Sequence, residues 1–87
     1  MWTLRLSEQA QRFYSSLSGK HQIQMAHGLD RLVENPHLGK SLRGELRGYW
    51  SYRVGVYRII YVIRRQEIIV EVLRIHHRKE VYEKFRR

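Results

Sequence analysis

The chain has 87 residues, and its 17 lysines and arginines outnumber its eight aspartates and glutamates, which leaves a formal net charge of +9. This length predicts a single domain, residues 1–87, while the lack of cysteine excludes a disulfide framework, and no apolar run reaches the ~20 residues of a membrane span. We therefore expect a cytoplasmic protein without a membrane partner, whose positive field favours nucleic acid or an acidic protein.

The N-terminal part predicts one strand and two helices. Residues 2–6 alternate apolar and polar side chains, as a strand does. Ser7 offers an N-cap oxygen to a first helix, which Ser18 and Gly19 end. A second helix is predicted at about residues 20–34 and stops before Pro36. Its predicted buried stripe consists of Ile23, Ala26, Leu29, Leu32 and Val33.

The C-terminal part predicts a basic connection, three strands and a short helix. Residues 35–48 are basic and interrupted by glycines. Strands follow at about residues 49–54, 56–63 and 67–75, joined by turns short enough to make them antiparallel, and residues 78–85 can form helical turns.

The resulting order, β-α-α-β-β-β with a short C-terminal helix, predicts an α+β fold. Both N-terminal helices should pack on one face of a twisted, mainly antiparallel sheet. Because the strands are apolar on both sides, we expect the second face to be open or covered by a partner.

Two arginines on the predicted strands are candidate phosphate ligands. A tight turn at Gly55 would bring Arg53 and Arg58 together across an antiparallel pair. Adjacent cations are best tolerated where an anion binds. The alternative is that both lie at the rim, with their aliphatic stems covering apolar surface.

A second cluster, His76-His77-Arg78, follows the last predicted strand, and Tyr82 comes one helical turn after Arg78. Histidine serves as a general acid or base near neutral pH. Adjacent histidines without a third donor do not make a metal site, so we expect neither metal nor cofactor. Tyr82 can instead be a packing residue of the terminal helix.

These residue types match the requirements of RNA cleavage. RNA supplies its own nucleophile, the 2′-hydroxyl, which must be deprotonated while charge grows on the phosphate. Arginine suits charge stabilisation, and histidine or tyrosine suits the proton transfers. Trp50 and Tyr52 can stack on bases or pack in the core. Candidates for binding the RNA backbone, each of which can also be merely solvated, are Lys40, Arg43, Arg47, Arg74 and Lys79.

Over nearly its whole length the chain resembles the RelE/ParE toxin superfamily of bacterial and archaeal toxin–antitoxin systems. The resemblance rests on Pro36, the glycine-punctuated run 39–48, the run 52–61, and the pairs His77-Arg78 and Val81-Tyr82. It implies a microbial-RNase-like fold and, in the RelE branch, cleavage of mRNA in the ribosomal A site.

The resemblance also implies residue roles. Arg58 matches the family's catalytic strand arginine, Arg78 the arginine after the last strand and Tyr82 the C-terminal tyrosine. His77 matches a histidine found before that arginine in many members. Arg53 stands where well-known members have a catalytic lysine. Since arginine does not act easily as a base, the base would be His77 or Tyr82.

The sequence therefore predicts a metal-independent endoribonuclease toxin that acts on mRNA and the ribosome. The resemblance implies a cognate acidic, RelB-like antitoxin, with a toxin–antitoxin heterotetramer as one assembly. Two alternatives are a ParE-like toxin that inhibits DNA gyrase without cutting nucleic acid, and a basic RNA-binding module without chemistry. Intact mRNA with a DNA-damage response would favour the former, and stoichiometric, salt-sensitive binding without product the latter.

Overall fold

The computed structural model describes residues 1–77, and these residues contain two α-helices, five strands and two 3-10 turns. The helices are α1 (Glu8–Ser16) and α2 (Gly19–Glu34), and the 3-10 turns span Pro36–Leu38 and Gly44–Leu46. The strands are β1 (Thr3–Leu6), β2 (Lys40–Ser41), β3 (Trp50–Val54), β4 (Tyr57–Arg64) and β5 (Ile69–His77). The α+β prediction is confirmed. The two-residue β2 lies in the predicted connection, and the predicted C-terminal helix lies outside the described residues.

The five strands form one sheet in the order β1-β5-β4-β3-β2. Strand β1 pairs with β5 in parallel, and the other neighbours are antiparallel, so the sheet is mainly antiparallel as predicted. The central strands are β5, β4 and β3. No helix within residues 1–77 is long and apolar enough to cross a membrane.

Polar side chains fix the start of α1 against β5. The Ser7 hydroxyl accepts a hydrogen bond from the Ala10 N–H at 3.1 Å, which confirms Ser7 as the N-cap, and it donates to the Leu73 carbonyl at 2.6 Å. The Gln9 side-chain amide bonds both the carbonyl and the N–H of Ile75, each at 3.0 Å. Because β1 pairs with β5 only up to Val72, Gln9 satisfies the backbone of β5 beyond the end of β1.

Both helices pack on one face of the sheet, as predicted, and the predicted stripe of α2 is confirmed at Leu29 and Leu32 but not at Ile23. Ile23 is 60% exposed, whereas Met25 is fully buried. A Cβ atom on Gly28 would lie 2.5 Å from Val54 Cγ2, so this glycine allows α2 to approach β3 closely. The buried apolar cluster comprises Ala10, Met25, Leu29, Leu32, Val54, Ile59, Tyr61, Val70, Val72 and Ile75.

Tyr61 anchors the connection after α2 to the sheet. Its side chain is fully buried, and its hydroxyl donates to the Pro36 carbonyl at 2.7 Å and accepts from the Gly39 N–H at 3.1 Å. Burial raises the pKa of Tyr61 to about 12, partly opposed by the Gly39 hydrogen bond. The protonated phenol is therefore the form that the folded protein stabilises.

Replacing Tyr61 with phenylalanine is expected to lower the free energy of unfolding by about 1–3 kcal/mol, because it leaves the Pro36 carbonyl and the Gly39 N–H unsatisfied. Between the ordinary tyrosine pKa of about 10 and the folded value of about 12, the unfolded chain loses this proton while folded Tyr61 keeps it. Stability from Tyr61 is thus complete below about pH 10 and decreases as the pH rises towards about 12. Urea unfolding of wild type and Tyr61→Phe between about pH 10 and about pH 12 should show that the difference between their free energies of unfolding becomes smaller. A difference that stays constant would contradict the raised pKa of Tyr61.

The turn between β4 and β5 contains a strained residue. Ile68 has φ of 57°, a left-handed conformation that β-branched residues adopt at a cost of about 1–2 kcal/mol, and its side chain is 48% exposed. Asparagine tolerates this conformation, so Ile68→Asn should raise the free energy of unfolding by about 0.5–1 kcal/mol in chemical denaturation. Ile23→Asn, the same change at an exposed helical position, should give no gain. Equal effects at both positions would rule out relief of backbone strain.

Candidate functional site

The β3–β4 hairpin places two arginines side by side. Val54 pairs with Tyr57 across a two-residue turn, and Gly55, the first turn residue, has φ of +60°, as two-residue hairpin turns favour. Arg53 and Arg58 are consequently direct partners across the hairpin. The predicted approach of these two residues is confirmed.

Strand pairing extends these arginines into two rows on the face opposite the helices. Directly opposed residues on antiparallel strands point to the same face. Arg58 also pairs with His76 of β5, which gives a row of Arg53, Arg58 and His76. The adjacent row consists of Lys40, Ser51, Ile60 and Arg74. We refer to these seven residues as the cationic face.

Hydrogen bonds organise the centre of the cationic face. Arg58 Nη1 donates to Ser51 Oγ at 3.3 Å, and Arg74 Nε donates to His76 Nε2 at 2.9 Å. Ser51, Ile60 and His76 are only 3%, 1% and 7% exposed. The second face was expected to expose apolar strand residues. Its centre instead holds the polar residues Ser51 and His76 beside Ile60, and all three are buried.

The charge on this face is one-sided. Four of its seven residues are lysine or arginine, and none is acidic. Glu71 pairs with Val62 and so lies on the same side of the sheet, but it already accepts a hydrogen bond from Arg64. That hydrogen bond and the Glu71 charge raise the pKa of Arg64. Guanidinium groups held side by side suit a ligand with several anionic oxygens, such as a phosphodiester.

His77 does not share this face. It pairs with Tyr57, its ring lies 6.2 Å from the Tyr57 ring, and both residues belong to the helix side of the sheet. The predicted convergence of His77 with Arg58 is therefore not observed. The histidine that pairs with Arg58 is His76, which the sequence placed in the candidate cluster but to which it assigned no catalytic role.

A bulge in β5 explains the difference. Val70 and Val72 face the core, so strict alternation would place His76 in the core and His77 on the opposite side. The register shifts between Ile60 and Tyr61, whose partners are Arg74 and Val72, so that Leu73 is an extra residue. The alternation reverses, and Ile75 faces the core. The sequence contained one signal for this bulge. Arg74 is charged, although strict alternation from Val70 and Val72 would place it in the core.

The remaining candidates fall into three groups. Lys40 and Arg74 belong to the cationic face, whereas Arg43 and Arg47 are exposed on either side of the Gly44–Leu46 turn. Arg78, Lys79 and Tyr82 lie outside the described residues. Trp50 and Tyr52 pack against the core, with the Trp50 ring 6.2 Å from the Tyr61 ring and 5.3 Å from the His37 ring. Within residues 1–77, no three or more histidine or acidic residues are grouped to hold a metal ion.

Comparisons with known proteins all find toxins of toxin-antitoxin systems. A family model described as the ParE toxin of type II toxin-antitoxin systems, parDE, matches residues 1–82. Toxin RelG of Mycobacterium tuberculosis is 40% identical over 60 residues, which cover 69% of this chain and 68% of that protein. Toxin RelE of the same organism is 44% identical over 52 residues, which cover 59% of this chain and 54% of that protein.

Solved structures show the same likeness. A chain in the crystal structure of the toxin-antitoxin complex RelBE2 from M. tuberculosis is 33% identical, with a TM-score of 0.79 over 88% of this chain and 98% of that one. The isolated E. coli RelE toxin is 23% identical, with a TM-score of 0.76 over 97% of this chain and 94% of that one. At 23% identity, the comparison with E. coli RelE supports the fold alone.

Proposed function

We propose that this chain, which belongs to the ParE toxin family of type II toxin–antitoxin systems, acts in the manner of RelE. In this proposal it is a metal-independent endoribonuclease that cuts mRNA in the ribosomal A site in the cytoplasm, as a single toxin domain. The observation that carries the proposal is the cationic face, where Arg53 and Arg58 are direct partners and Arg58 is held by Ser51. The relatives named RelG and RelE support the same branch.

The proposed chemistry begins with attack of the RNA 2′-hydroxyl on the adjacent phosphodiester. Negative charge grows on the phosphate oxygens as the new bond forms and the bond to the 5′-oxygen breaks. Arg58 and Arg53 would stabilise this charge, and a donor in such a position is worth about 10²–10³ in rate. Because arginine stays protonated at neutral pH, Arg53 would not replace the lysine base of other members.

This proposal assigns proton transfer to Tyr82 and keeps Arg78 among the site residues. Both lie outside the described residues and enter on the strength of the family resemblance. His77, the other predicted base, contacts Tyr57 on the helix side of the sheet and is given no part in the reaction.

The proposed partner is an acidic, RelB-like antitoxin. The RelBE2 structure holds a toxin together with its antitoxin, and this chain matches its fold over 88% of its length. An antitoxin with acidic side chains would complement the +9 charge of this chain. Lys40, Arg43 and Arg47, exposed along one stretch of chain, would contact ribosomal RNA or mRNA backbone when the antitoxin is absent.

Brief expression without the antitoxin tests the function. Mapping of mRNA 5′ ends should reveal new ends inside translated codons, with plasmid supercoiling by gyrase unchanged. The second candidate, gyrase inhibition, is favoured by the description of the matching family model, which is that of ParE. Intact mRNA with inhibited supercoiling would establish that candidate and reject the ribonuclease.

A further inference from the structure

A cavity of about 190 Å³ lies between α2 and the β3–β4 hairpin, and we refer to it as the hairpin cavity. Strand β2 pairs with β3 only at Trp50 and Ser51, so the next residues, Tyr52–Val54, have no strand on their outer edge within residues 1–77. Helix α2 lies beside this open edge, where Gly28 allows a close approach to Val54, and both residues line the cavity. The hairpin cavity is therefore formed by tertiary packing at the sheet edge that carries Arg53.

The polar side chains of the hairpin cavity can all donate hydrogen bonds. Arg31, His27 and Gln24 come from α2, and Arg53 and Tyr52 come from β3. Each carries an N–H or O–H group, and none is acidic. Within residues 1–77, the side chains of Arg31 and Arg53 form neither a hydrogen bond nor an ion pair. The hairpin cavity therefore offers two guanidinium groups and several further donors to an anion.

The carboxylates of the neighbouring elements lie elsewhere. Strands β3 and β4 contain no acidic residue. The two acidic residues of α2, Asp30 and Glu34, line a separate cavity together with Trp2. Two guanidinium groups that share a cavity without a carboxylate repel each other, and an anionic ligand offsets this repulsion.

The volume of the hairpin cavity restricts its ligand. About 190 Å³ equals the volume of about six water molecules in liquid water, at about 30 Å³ each. A phosphate group, which is one phosphorus atom with its oxygens, fits within this volume, whereas a nucleotide with its sugar and base does not. A phosphate-bearing ligand must therefore leave its sugars and bases outside the cavity, as a phosphodiester within an RNA strand can.

We propose that the hairpin cavity binds a second phosphate of the RNA strand whose scissile phosphate lies on the cationic face. Arg53 connects the two places, because it pairs with Arg58 on the cationic face and also lines the cavity. The two phosphates bind on either side of Arg53, and Arg31 holds the second one from α2. Arg31 thus fixes the position of the strand without touching the reacting atoms. This inference rests on the proposed function in taking RNA as the ligand.

The first test uses the full chain and a fluorescent RNA of about ten nucleotides that carries 2′-O-methyl groups and cannot be cleaved. Anisotropy titrations compare Arg31→Gln with Arg12→Gln, which removes the same charge from the exposed surface of α1. Arg31→Gln should weaken binding about tenfold, and Arg12→Gln less than about twofold. The slope of log affinity against log salt concentration should become smaller in Arg31→Gln, by up to about 0.7 for one lost phosphate contact. Equal affinities and slopes in the two variants would overturn the inference.

A second pair of variants adds a carboxylate instead of removing a guanidinium. Gln24→Glu places a negative charge in the hairpin cavity with almost no change in side-chain size. Gln11→Glu makes the same change of net charge on the exposed surface of α1. Because like charges repel, Gln24→Glu should weaken RNA binding about tenfold, and Gln11→Glu less than about twofold. If both variants bind RNA equally well, only net charge matters and the cavity is not a phosphate site.

Arginine side-chain NMR distinguishes a phosphate within RNA from free phosphate. In protein labelled with ¹⁵N-arginine, the Nε–H signals of Arg31 and Arg53 should shift when the same RNA is added, whereas that of Arg12 should not. Inorganic phosphate should shift the same two signals at higher concentration. A response to inorganic phosphate without one to RNA would assign the cavity to free phosphate and overturn the inference, as would no response to either.

These measurements do not depend on catalysis. The modified RNA has no free 2′-hydroxyl, so its binding to the hairpin cavity is measured whether or not the chain cleaves mRNA. Absence of new 5′ ends in cells would reject the ribonuclease proposal separately.

Discussion

Replacing Arg58 with alanine is expected to abolish growth arrest by this chain and to lower its rate of mRNA cleavage by about 10²–10³-fold. Arg58 occupies the middle of a row in which Arg53 and His76 are its direct partners, and its Nη1 atom is held by Ser51 at 3.3 Å. Alanine removes the charge at the point where both rows of the cationic face meet. The measurement is single-turnover cleavage of mRNA on purified ribosomes.

Arg12→Ala is the matched control for charge. Arg12 lies on α1 and pairs with Glu8 at the exposed helix surface, so its loss changes net charge equally without touching the cationic face. It should leave cleavage within about twofold of wild type, since exposed ion pairs contribute little. Thermal unfolding should show both variants folded. If folded Arg58→Ala cuts mRNA as fast as Arg12→Ala, the site assigned to the cationic face is wrong.

Replacing Gly39 with alanine is expected to destabilise the fold by about 3 kcal/mol. Gly39 has φ of −75°, which any residue adopts, so the cost comes from contacts. A Cβ atom there would collide with the Tyr61 hydroxyl and would lie 2.7 Å from the Ser51 carbonyl. The substitution would also disturb the hydrogen bond from the Gly39 N–H to Tyr61. Urea unfolding at neutral pH measures the effect.

Gly44→Ala is the control that distinguishes the cost of steric contacts at Gly39 from the cost of an unfavourable backbone conformation. Gly44 has φ of +66°, and a Cβ atom there would meet nothing within 4 Å, so alanine should cost about 1 kcal/mol through conformation. Gly39→Ala is therefore expected to lower the free energy of unfolding more than Gly44→Ala does. The reverse order would show that the segment before β2 relaxes away from Tyr61 and Ser51.

Local signals were enough to predict much of this fold. Ser7 as N-cap and the end of α2 before Pro36 depend on interactions within a few residues of chain, and both are observed. The pairing of Arg53 with Arg58 depends only on alternation and a two-residue turn. Such features are legible in sequence because the interacting groups are neighbours along the chain.

The candidate site depended on register between distant segments. Strand β2 has only two residues, which is too few to show a periodic pattern in the sequence. The position of Lys40 beside Ser51 is therefore seen only in the pairing of β2 with β3. The buried stripe of α2 includes Gly28, which lies against Val54, a residue far away in sequence. In both cases the deciding interaction is tertiary.

By itself, the amino-acid sequence determined the order of the two helices and the four longer strands, the β3–β4 hairpin and the excess of positive charge. Only the tertiary structure decided which histidine joins Arg58. One extra residue, Leu73, reverses the alternation of β5 and exchanges the faces of His76 and His77. The physical reason is that side-chain direction in a strand has a period of two, so a single bulge inverts every position beyond it.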